Sequence, residues 1–215
     1  MQVSEIFYSL QGEGINVGIP SVFLRLAGCN LRCDWCDSKF AQDLKSGKQM
    51  TTDEILKIIK KNPCKHIVIT GGEPLLQQSA LLELLKLMPD YYEELETNGS
   101  LEPFINKHIN QYNCSPKPAA GGPSPNPPQS VRLQKFPPEK TYYKFVIDKK
   151  SDIKEVQKFI ADNNIDRKKI FLMPQGVDKK ELEKKSKWLA EICKKENLRF
   201  SPRLHIIIWG NKKGV

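Results

Sequence analysis

Short apolar runs along the chain alternate with stretches of helical periodicity, and a polar loop follows most of the runs. Residues 3–8 alternate between apolar and polar positions, and residues 66–70 form a short apolar run, patterns typical of a half-buried and a buried strand. We predict further strands at 21–27, 92–97, 111–115, 142–147, 169–173 and 198–208. Helices are predicted after the capping box Thr51-x-x-Glu54 and at 79–88, 151–163 and 178–196. This order predicts an α/β fold with a parallel sheet, in which ligands bind at the carboxyl ends of strands.

One segment interrupts this order. Residues 116–138 hold eight of the fifteen prolines, so neither a helix nor a central strand can form there. We predict a Pro/Gly-rich loop at about 118–138, which is either a lid or a neutral insertion. With 215 residues and no internal repeat, the chain is expected to form a single domain spanning 1–215.

Composition and charge exclude several classes of protein. No apolar run approaches the ~18 residues of a membrane span, and the first residues lack the pattern of a signal peptide. The net charge of +9 comes mostly from lysines that alternate with glutamates on predicted helices, which indicates a solvated face. A nucleic-acid surface would interleave arginines with aromatic residues. Six cysteines, three of them in one loop, are typical of a reducing compartment. We expect a cytoplasmic protein without membrane or nucleic-acid partners.

Three cysteines form the densest group of candidate ligands. Cys29, Cys33 and Cys36 follow the spacing C-x3-C-x2-C, so one tight loop carries three thiolates. Three soft ligands are one short of a closed tetrahedral zinc site, and they suit a 4Fe–4S cluster with one iron left open. The alternatives are three unrelated thiols, or structural zinc whose fourth ligand is one of the distant cysteines, Cys64, Cys114 or Cys193.

Polar motifs follow the predicted strands. The glycines of Leu10-Gln11-Gly12-Glu13-Gly14 allow the backbone to approach a ligand, or simply form a turn. Arg25 lies within an apolar strand and needs an anionic partner if buried, either a substrate carboxylate or an internal Asp or Glu. Three more motifs end later strands and serve as ligands or as caps and turns: Thr70-Gly-Gly-Glu-Pro74, Glu96-Thr-Asn-Gly-Ser100 and Ser115-Pro-Lys117.

The cysteine loop, with Trp35 just before its third cysteine, and the Gly-Gly-Glu-Pro motif resemble the radical S-adenosylmethionine (SAM) superfamily. Together with the Gln11-Gly-Glu-Gly14 motif, Arg25, the Cys36-Asp37-Ser38 segment and the terminal Trp209-Gly-Asn-Lys-Lys-Gly-Val215 segment, they resemble the 7-carboxy-7-deazaguanine synthase family. The resemblance implies a partial (β/α) barrel of about six mainly parallel strands, of radical SAM type. It also implies a homodimer and an external electron donor such as flavodoxin or ferredoxin.

The resemblance assigns roles to individual residues. Cys29, Cys33 and Cys36 would hold the cluster, Ser38 would bind Mg²⁺, and Arg25 would hold the substrate carboxylate during catalysis. The other substrate contacts implied are Leu10, Gln11, Gly12, Gly14, Thr70, His205 (which has a structural alternative) and the carboxylate of Val215. The SAM contacts implied are Trp35, Asp37, Gly72, Glu73, Ser115, Lys117, Met173, Pro174, Gln175 and Gly176.

The activity implied is that of a carbon–nitrogen lyase of 7-deazapurine (queuosine) biosynthesis. The mechanism that the resemblance implies begins with transfer of one electron from the reduced cluster to the SAM sulfonium, and the 5′-deoxyadenosyl radical formed would remove hydrogen from C6 of 6-carboxy-5,6,7,8-tetrahydropterin. Ring contraction with loss of ammonia then gives 7-carboxy-7-deazaguanine. The alternatives are a glycyl-radical-type activating enzyme, which shares the cysteine loop but acts on a protein, and a zinc-containing nucleic-acid module.

Overall fold

The computed structural model of the chain describes residues 1–117 and 135–215, and most of the predicted proline-rich loop lies outside the described residues. The strands are β1 (Gln2–Leu10), β2 (Pro20–Leu26), β3 (Lys48–Gln49), β4 (His66–Gly71), β5 (Tyr92–Thr97), β6 (Gln111–Cys114), β7 (Thr141–Ile147), β8 (Ile170–Pro174) and β9 (Arg199–Phe200). The helices are α1 (Thr52–Ile59), α2 (Gln78–Leu85), α3 (Asp152–Asn163), α4 (Lys179–Glu196) and α5 (Leu204–Trp209).

All of these strands belong to one sheet, in the order β3-β1-β2-β4-β5-β6-β7-β8-β9. β1 pairs antiparallel with β2 and β3, and every pairing from β2 to β9 is parallel. Parallel neighbours require crossover connections, and α1, α2, α3 and α4 lie in four of them. The carboxyl ends of seven strands therefore lie along one edge, as the order of sequence elements predicts.

The two faces of the sheet differ in chemistry. Alternate side chains of the parallel strands, such as Leu24, Ile69 and Phe145, belong to the apolar core that the helices cover. The intervening positions form what we call the inner face, and many of them are polar and buried: Ser21, His66, Thr70, Glu94, Gln111, Asn113 and Lys144. Strand alternation thus sends the apolar residues to the helices and leaves a polar surface on the opposite side.

The sheet curves so strongly that its two ends meet. The loop after β1 contacts the segment after β9: Leu204 N donates to Gly12 O at 2.9 Å, and Gly14 N donates to Ser201 Oγ at 2.8 Å. These contacts span nearly the whole sequence and bring together opposite ends of the strand order. The inner face is therefore concave, as in a partial barrel.

Local signals place the helices where the sequence predicts them. Thr51 and Glu54 form the predicted capping box at the start of α1, and Asp178 caps α4 by accepting from Glu181 N at 3.0 Å. Asn197 follows the last residue of α4, and its φ of 52° lies in the left-handed region of backbone conformation, which ends the helix. Within residues 1–117 and 135–215, no helix is long and apolar enough to cross a membrane.

The predicted strand at 198–208 is wrong over most of its length. β9 covers only Arg199–Phe200, and the β-branched run that follows is helix α5. The ladder ends when Ser201 N donates to Leu172 O at 2.9 Å, because Pro202 has no N–H to continue it. In α5, Ile206 turns inward (3% exposed), whereas Ile207 and Ile208 stay on the surface.

Candidate active site

A cavity of about 280 Å³ lies at the carboxyl ends of the parallel strands, enclosed by the concave inner face. Loops that follow β1, β2, β4, β5 and β6 line it, together with the segment after α5. A second cavity of about 410 Å³ adjoins it, with Trp35, Met173 and Gln175 in its wall. Polar loops that are distant in sequence therefore meet around one space, as the α/β topology predicts.

The three loop cysteines all line the first cavity. Cys29, Cys33 and Cys36 are unpaired and partly exposed, and burial raises the pKa of the Cys29 and Cys33 thiols. Backbone bonds fix where the loop leaves β2: Gly28 N donates to Ala41 O at 2.9 Å. Within the loop, Arg32 Nη1 donates to the carbonyls of Cys29 and Leu31 at 2.6 and 2.9 Å. The thiols are thus carried by a braced loop.

The donor set fits an iron–sulfur cluster better than a single metal ion. The other cysteines, Cys64, Cys114 and Cys193, do not line the cavity, so none completes a four-thiol site with the loop. In the part of the chain that the structure describes, no three His, Cys, Asp or Glu side chains come close enough to share one ion. A 4Fe–4S cluster takes each thiolate on a different iron and leaves the fourth iron open.

The Gly-Gly-Glu-Pro turn packs directly on the cysteine loop. A Cβ on Gly72 would lie 2.2 Å from Gly28 O, so the two loops touch only because residue 72 has no side chain. Glu73 N donates to Gly28 O at 2.8 Å, which fixes the contact. Gly72 lines the cavity and exposes its backbone there.

Glu73 faces away from the cavity. Its carboxylate is fully buried and accepts from Leu75 N, Thr97 Oγ1 and Asn98 N at 3.0, 2.8 and 2.8 Å. Burial raises the pKa of this carboxyl despite these bonds. The side chain that the resemblance assigned to SAM therefore joins the loops after β4 and β5 to each other.

A chain of charged groups crosses the cavity floor. Glu13 pairs with Lys144 of β7 and with Arg203 Nε, the latter at 3.1 Å, and Arg203 also pairs with Asp37. Burial alone would raise the pKa of Glu13, but the Lys144 and Arg203 cations outweigh it and lower the pKa. Glu13 in turn raises the pKa of Lys144 against its burial. Both groups are therefore charged at neutral pH.

Arg25 has an internal partner and also lines the cavity. Its Nε donates to Glu5 Oε1 on the neighbouring strand at 2.7 Å, and its Cζ lies 6.0 Å from the centre of the Phe40 ring. Among the described residues no acceptor takes its two Nη groups. The structure is thus compatible with both anionic partners that the sequence suggests. The internal Glu5 carboxylate binds Nε, and a substrate carboxylate can bind the two Nη groups.

Most other residues predicted for the site also reach the first cavity. Leu10, Gln11, Gly12, Trp35, Asp37, Ser38, Thr70, Ser115, Lys117, Met173, His205 and Val215 line it. Lys117 Nζ donates to Ser115 Oγ at 2.6 Å and lies 5.2 Å from the centre of the Trp35 ring. Burial lowers the pKa of both Lys117 and His205.

Besides Glu73, four predicted residues lie behind the wall of the first cavity. Gly14 N donates a hydrogen bond to Ser201 Oγ, and Pro174 is the buried last residue of β8. Gln175 lines the second cavity, and its Oε1 accepts from Lys185 Nζ at 2.8 Å. Gly176 O accepts from Arg203 Nη1 at 2.5 Å, so Gly176 positions that guanidinium.

Several charged and amide groups at the cavity were not predicted from the sequence. Among them, Asn113, Lys144 and Arg203 line the cavity, and Glu94 lies behind its wall. For Glu94, Asn113 and Lys144 the signal was available in the strands: polar residues alternate with buried apolar ones in residues 92–97, 111–114 and 142–147. Such alternation in a parallel strand indicates a polar face that is hidden from solvent. Arg203 lies after β9, outside this pattern.

The comparisons with known proteins agree with this site. A family model described as a 4Fe-4S single cluster domain matches residues 10–107. The chain is 38% identical, over its full length, to a 7-carboxy-7-deazaguanine synthase of Pyrobaculum aerophilum and covers 97% of that protein. A 7-carboxy-7-deazaguanine synthase of Aquifex aeolicus is 36% identical over 94% of this chain and 91% of its own length. The crystal structure of QueE from Escherichia coli superposes with a TM-score of 0.74 at 27% identity, covering 95% and 94% of the two chains.

A three-cysteine loop within the matched 4Fe-4S region, opening onto the carboxyl ends of a parallel sheet, defines a radical SAM enzyme. The predicted α/β fold is confirmed by the QueE structure. Full-length identity of 38% then decides the branch of the superfamily. The chain belongs to the 7-carboxy-7-deazaguanine synthase family.

Proposed function

We propose that the chain converts 6-carboxy-5,6,7,8-tetrahydropterin to 7-carboxy-7-deazaguanine by radical ring contraction with loss of ammonia, in 7-deazapurine (queuosine) biosynthesis. The observation that carries the proposal is a single small cavity in which three thiols lie beside Arg25 and a buried polar surface. A cavity of about 280 Å³ has the scale of a small-molecule site. A glycyl-radical-type activating enzyme would instead need an opening for a polypeptide, so this alternative is not favoured.

The cysteine loop would hold the cluster at the cavity wall through Cys29, Cys33 and Cys36. When bound, the cluster and SAM together supply a carbon-centred radical that removes a hydrogen atom from the substrate. The backbone at Gly72 and the Ser115–Lys117 pair are proposed to hold the amino acid and ribose parts of SAM. The wall of the second cavity, with Trp35, Met173 and Gln175, is proposed to receive its adenine.

The chain's own part in the reaction is to hold the pterin and exclude water. Arg25 would bind the substrate carboxylate with its free edge. Glu13 and Lys144 present one negative and one positive group, fixed against each other, to the polar ring. Leu10, Gln11, Gly12, Thr70, His205 and Val215 would complete the pterin contacts. Because these groups are held in place before the ligand binds, little reorganisation is needed during the reaction.

A magnesium ion is proposed at Ser38. The Ser38 hydroxyl lines the cavity and donates to Asp37 Oδ1 at 3.0 Å, so two hard oxygen groups lie side by side there. Oxygen donors of this kind suit Mg²⁺, which keeps several waters and also accepts ligand carboxylates. The ion would neutralise the substrate carboxylate together with Arg25.

Two further expectations rest on the resemblance, and a third rests on the cysteines. The cluster needs an external one-electron donor such as flavodoxin or ferredoxin. The chain is expected to form a homodimer, which light scattering would test. A cytoplasmic location is expected because all six cysteines are unpaired.

The function is tested by anaerobic incubation of the reconstituted protein with SAM, a reductant, Mg²⁺ and 6-carboxy-5,6,7,8-tetrahydropterin. We expect a product with the mass of 7-carboxy-7-deazaguanine, and none with a Cys33→Ala variant. Cleavage of SAM with the pterin left unchanged would contradict the proposed substrate while keeping the radical SAM class.

A further inference from the structure

A buried carboxylate, Glu94, lies behind the cavity wall and is completely shielded from solvent. It does not line the cavity itself, yet its Oε1 accepts from two side chains that do. Gln11 Nε2 donates to it at 2.6 Å, and Asn113 Nδ2 also donates to it. Its other oxygen, Oε2, accepts from Asn16 Nδ2 at 2.6 Å and lies 3.2 Å from His66 Nε2. Glu94 therefore connects the cavity wall to the deeper part of the inner face.

The chemistry of a carboxylate fixes the direction of the Gln11 amide. A carboxylate only accepts hydrogen bonds, so the nitrogen end of Gln11 must face it. The second hydrogen on Nε2 is directed at another carboxylate oxygen, Glu96 Oε1, at 3.4 Å. Both donors of the amide are then used within the protein. The oxygen Oε1 accepts from Glu13 N at 3.2 Å and keeps a second lone pair.

The groups around Glu94 are themselves restrained, so its carboxylate cannot turn away. His66 Nδ1 lies 2.5 Å from Ser21 Oγ on the neighbouring strand. Asn16 Nδ2 also donates to Gln111 Oε1 at 3.1 Å, and Gln111 Nε2 donates to Asn113 Oδ1 at 2.9 Å. This closed arrangement keeps Glu94 Oε1 directed at the Gln11 amide.

We propose that Glu94 is a positioning residue that holds Gln11 with its carbonyl oxygen toward the ligand, so that the site selects a ring with an N–H group at that position. The proposal rests on the proposed function, in which Gln11 contacts the pterin. A ring presenting an unprotonated nitrogen or a carbonyl there would meet the Gln11 oxygen and be disfavoured. If the amide were free to turn, this selection would be lost, since an amide offers a donor and an acceptor of almost equal shape.

Two substitutions separate this role from general stability. Glu94→Met fills a similar volume but removes the acceptor, whereas Glu94→Gln keeps an oxygen for Gln11 and removes the charge. Each is made alone and in combination with Gln11→Ala, in the cluster-loaded protein. Binding of 6-carboxy-5,6,7,8-tetrahydropterin and of SAM is titrated anaerobically, and iron content and melting temperature are recorded for each variant.

We expect Glu94→Met to weaken pterin binding by about tenfold or more, because a misdirected amide loses one good hydrogen bond. Glu94→Gln should bind the pterin within about threefold of the unmodified protein, and SAM affinity and iron content should not change in either variant. In the Gln11→Ala background, Glu94→Met should add less than about threefold, since a residue that acts through Gln11 has nothing left to position.

The outcomes separate the possible failures. If the unmodified protein neither binds nor converts the pterin, the proposed function fails. If the pterin binds and the losses of pterin affinity from Gln11→Ala and Glu94→Met multiply, the positioning role is overturned and the proposed function stands. The same conclusion follows if Glu94→Met lowers only the melting temperature. Should Glu94→Met not fold, Glu94→Asp keeps the charge but withdraws the oxygens from Gln11. The same loss of pterin affinity is then expected, and normal affinity overturns the role.

Discussion

Arg25 allows the structural and functional demands on one side chain to be separated. Its partner in the fold is Glu5, directly opposite on the antiparallel neighbour, with 2.7 Å between Nε and Oε1. The two side chains are 18% and 23% exposed. A cross-strand pair with this access to water contributes about 0.2–1 kcal/mol to the free energy of unfolding. Because Lys can also pair with Glu5, Arg25→Lys should lower the melting temperature only slightly.

The expected effect on the substrate is much larger. The free edge of the guanidinium can hold a carboxylate through two parallel bonds, a geometry that the single ammonium of Lys cannot reproduce. Breaking a hydrogen-bonded charge pair in a desolvated site costs about 2–5 kcal/mol. A loss at the lower end weakens pterin binding about 30-fold. Cluster and SAM binding should be retained, since neither group is proposed to contact Arg25.

The assay compares Arg25→Lys with Glu5→Gln, which removes the internal partner but leaves the guanidinium in place. Thermal unfolding and anaerobic pterin titration are measured on both. We expect Arg25→Lys to lose pterin affinity with a nearly normal melting temperature, and Glu5→Gln to keep most of its affinity. A large drop in melting temperature for Arg25→Lys, with normal pterin affinity, would show that Arg25 serves the fold alone.

Three further predictions concern the cluster, the metal and a buried carboxyl. Cys29→Ala should abolish iron binding and SAM cleavage, because the cluster has only three cysteine ligands and no other can replace a lost one. Cys114→Ala should keep both properties. Loss of iron in the Cys114 variant would contradict the three-cysteine assignment. Ser38→Ala should weaken Mg²⁺ affinity by about tenfold or more while the iron content persists, and an unchanged Mg²⁺ requirement would show that the hydroxyl only braces the loop. Burial raises the pKa of Glu93 from 4.5 to about 7, so the folded state holds this proton more tightly than the unfolded state and stability falls as pH rises through that range. Glu93→Gln should therefore be more stable than the unmodified protein by about 3 kcal/mol at pH 8 but not at pH 4, and equal melting temperatures at pH 8 would contradict this.

The fold was predictable where local signals agree with tertiary packing. The capping box at Thr51 and the Asp178 cap set helix starts that the structure confirms. The structure of the segment after β9 was not predictable, because its β-branched residues favour a strand, while Pro202 and the burial of Ile206 favour a turn and a short helix. Intrinsic preference is weak compared with such tertiary constraints.

The candidate site was predictable where its chemistry is local in sequence. The three cysteines lie within eight residues of one another, the two glycines of the Gly71–Gly72 turn are neighbours, and both groups line the cavity. The pairing of Glu13 with Lys144 and Arg203 could not be read from the sequence, because 131 and 190 residues separate the partners. Only the curvature of the sheet brings its two ends together, and no local pattern encodes that contact.

The division of the sheet into two faces explains how this fold can hold so many charged groups. Leu24, Ile69 and Phe145 and the other core side chains face the helices, so apolar burial, which dominates folding energy, is complete on that side. The opposite side is then free to carry Glu94 and Lys144 on the inner face and Arg203 in the segment after β9, each of which would be costly to bury without a partner. Each is instead paired: Glu94 accepts from three side-chain amides, Lys144 pairs with Glu13, and Arg203 pairs with Glu13 and Asp37. A single substitution on the inner face should therefore lower the stability of the fold more when the replaced side chain has more internal partners. Glu94 contacts four side chains, whereas Arg25 makes one ion pair. We therefore expect Glu94→Met to lower both stability and pterin binding, and Arg25→Lys to lower pterin binding almost alone.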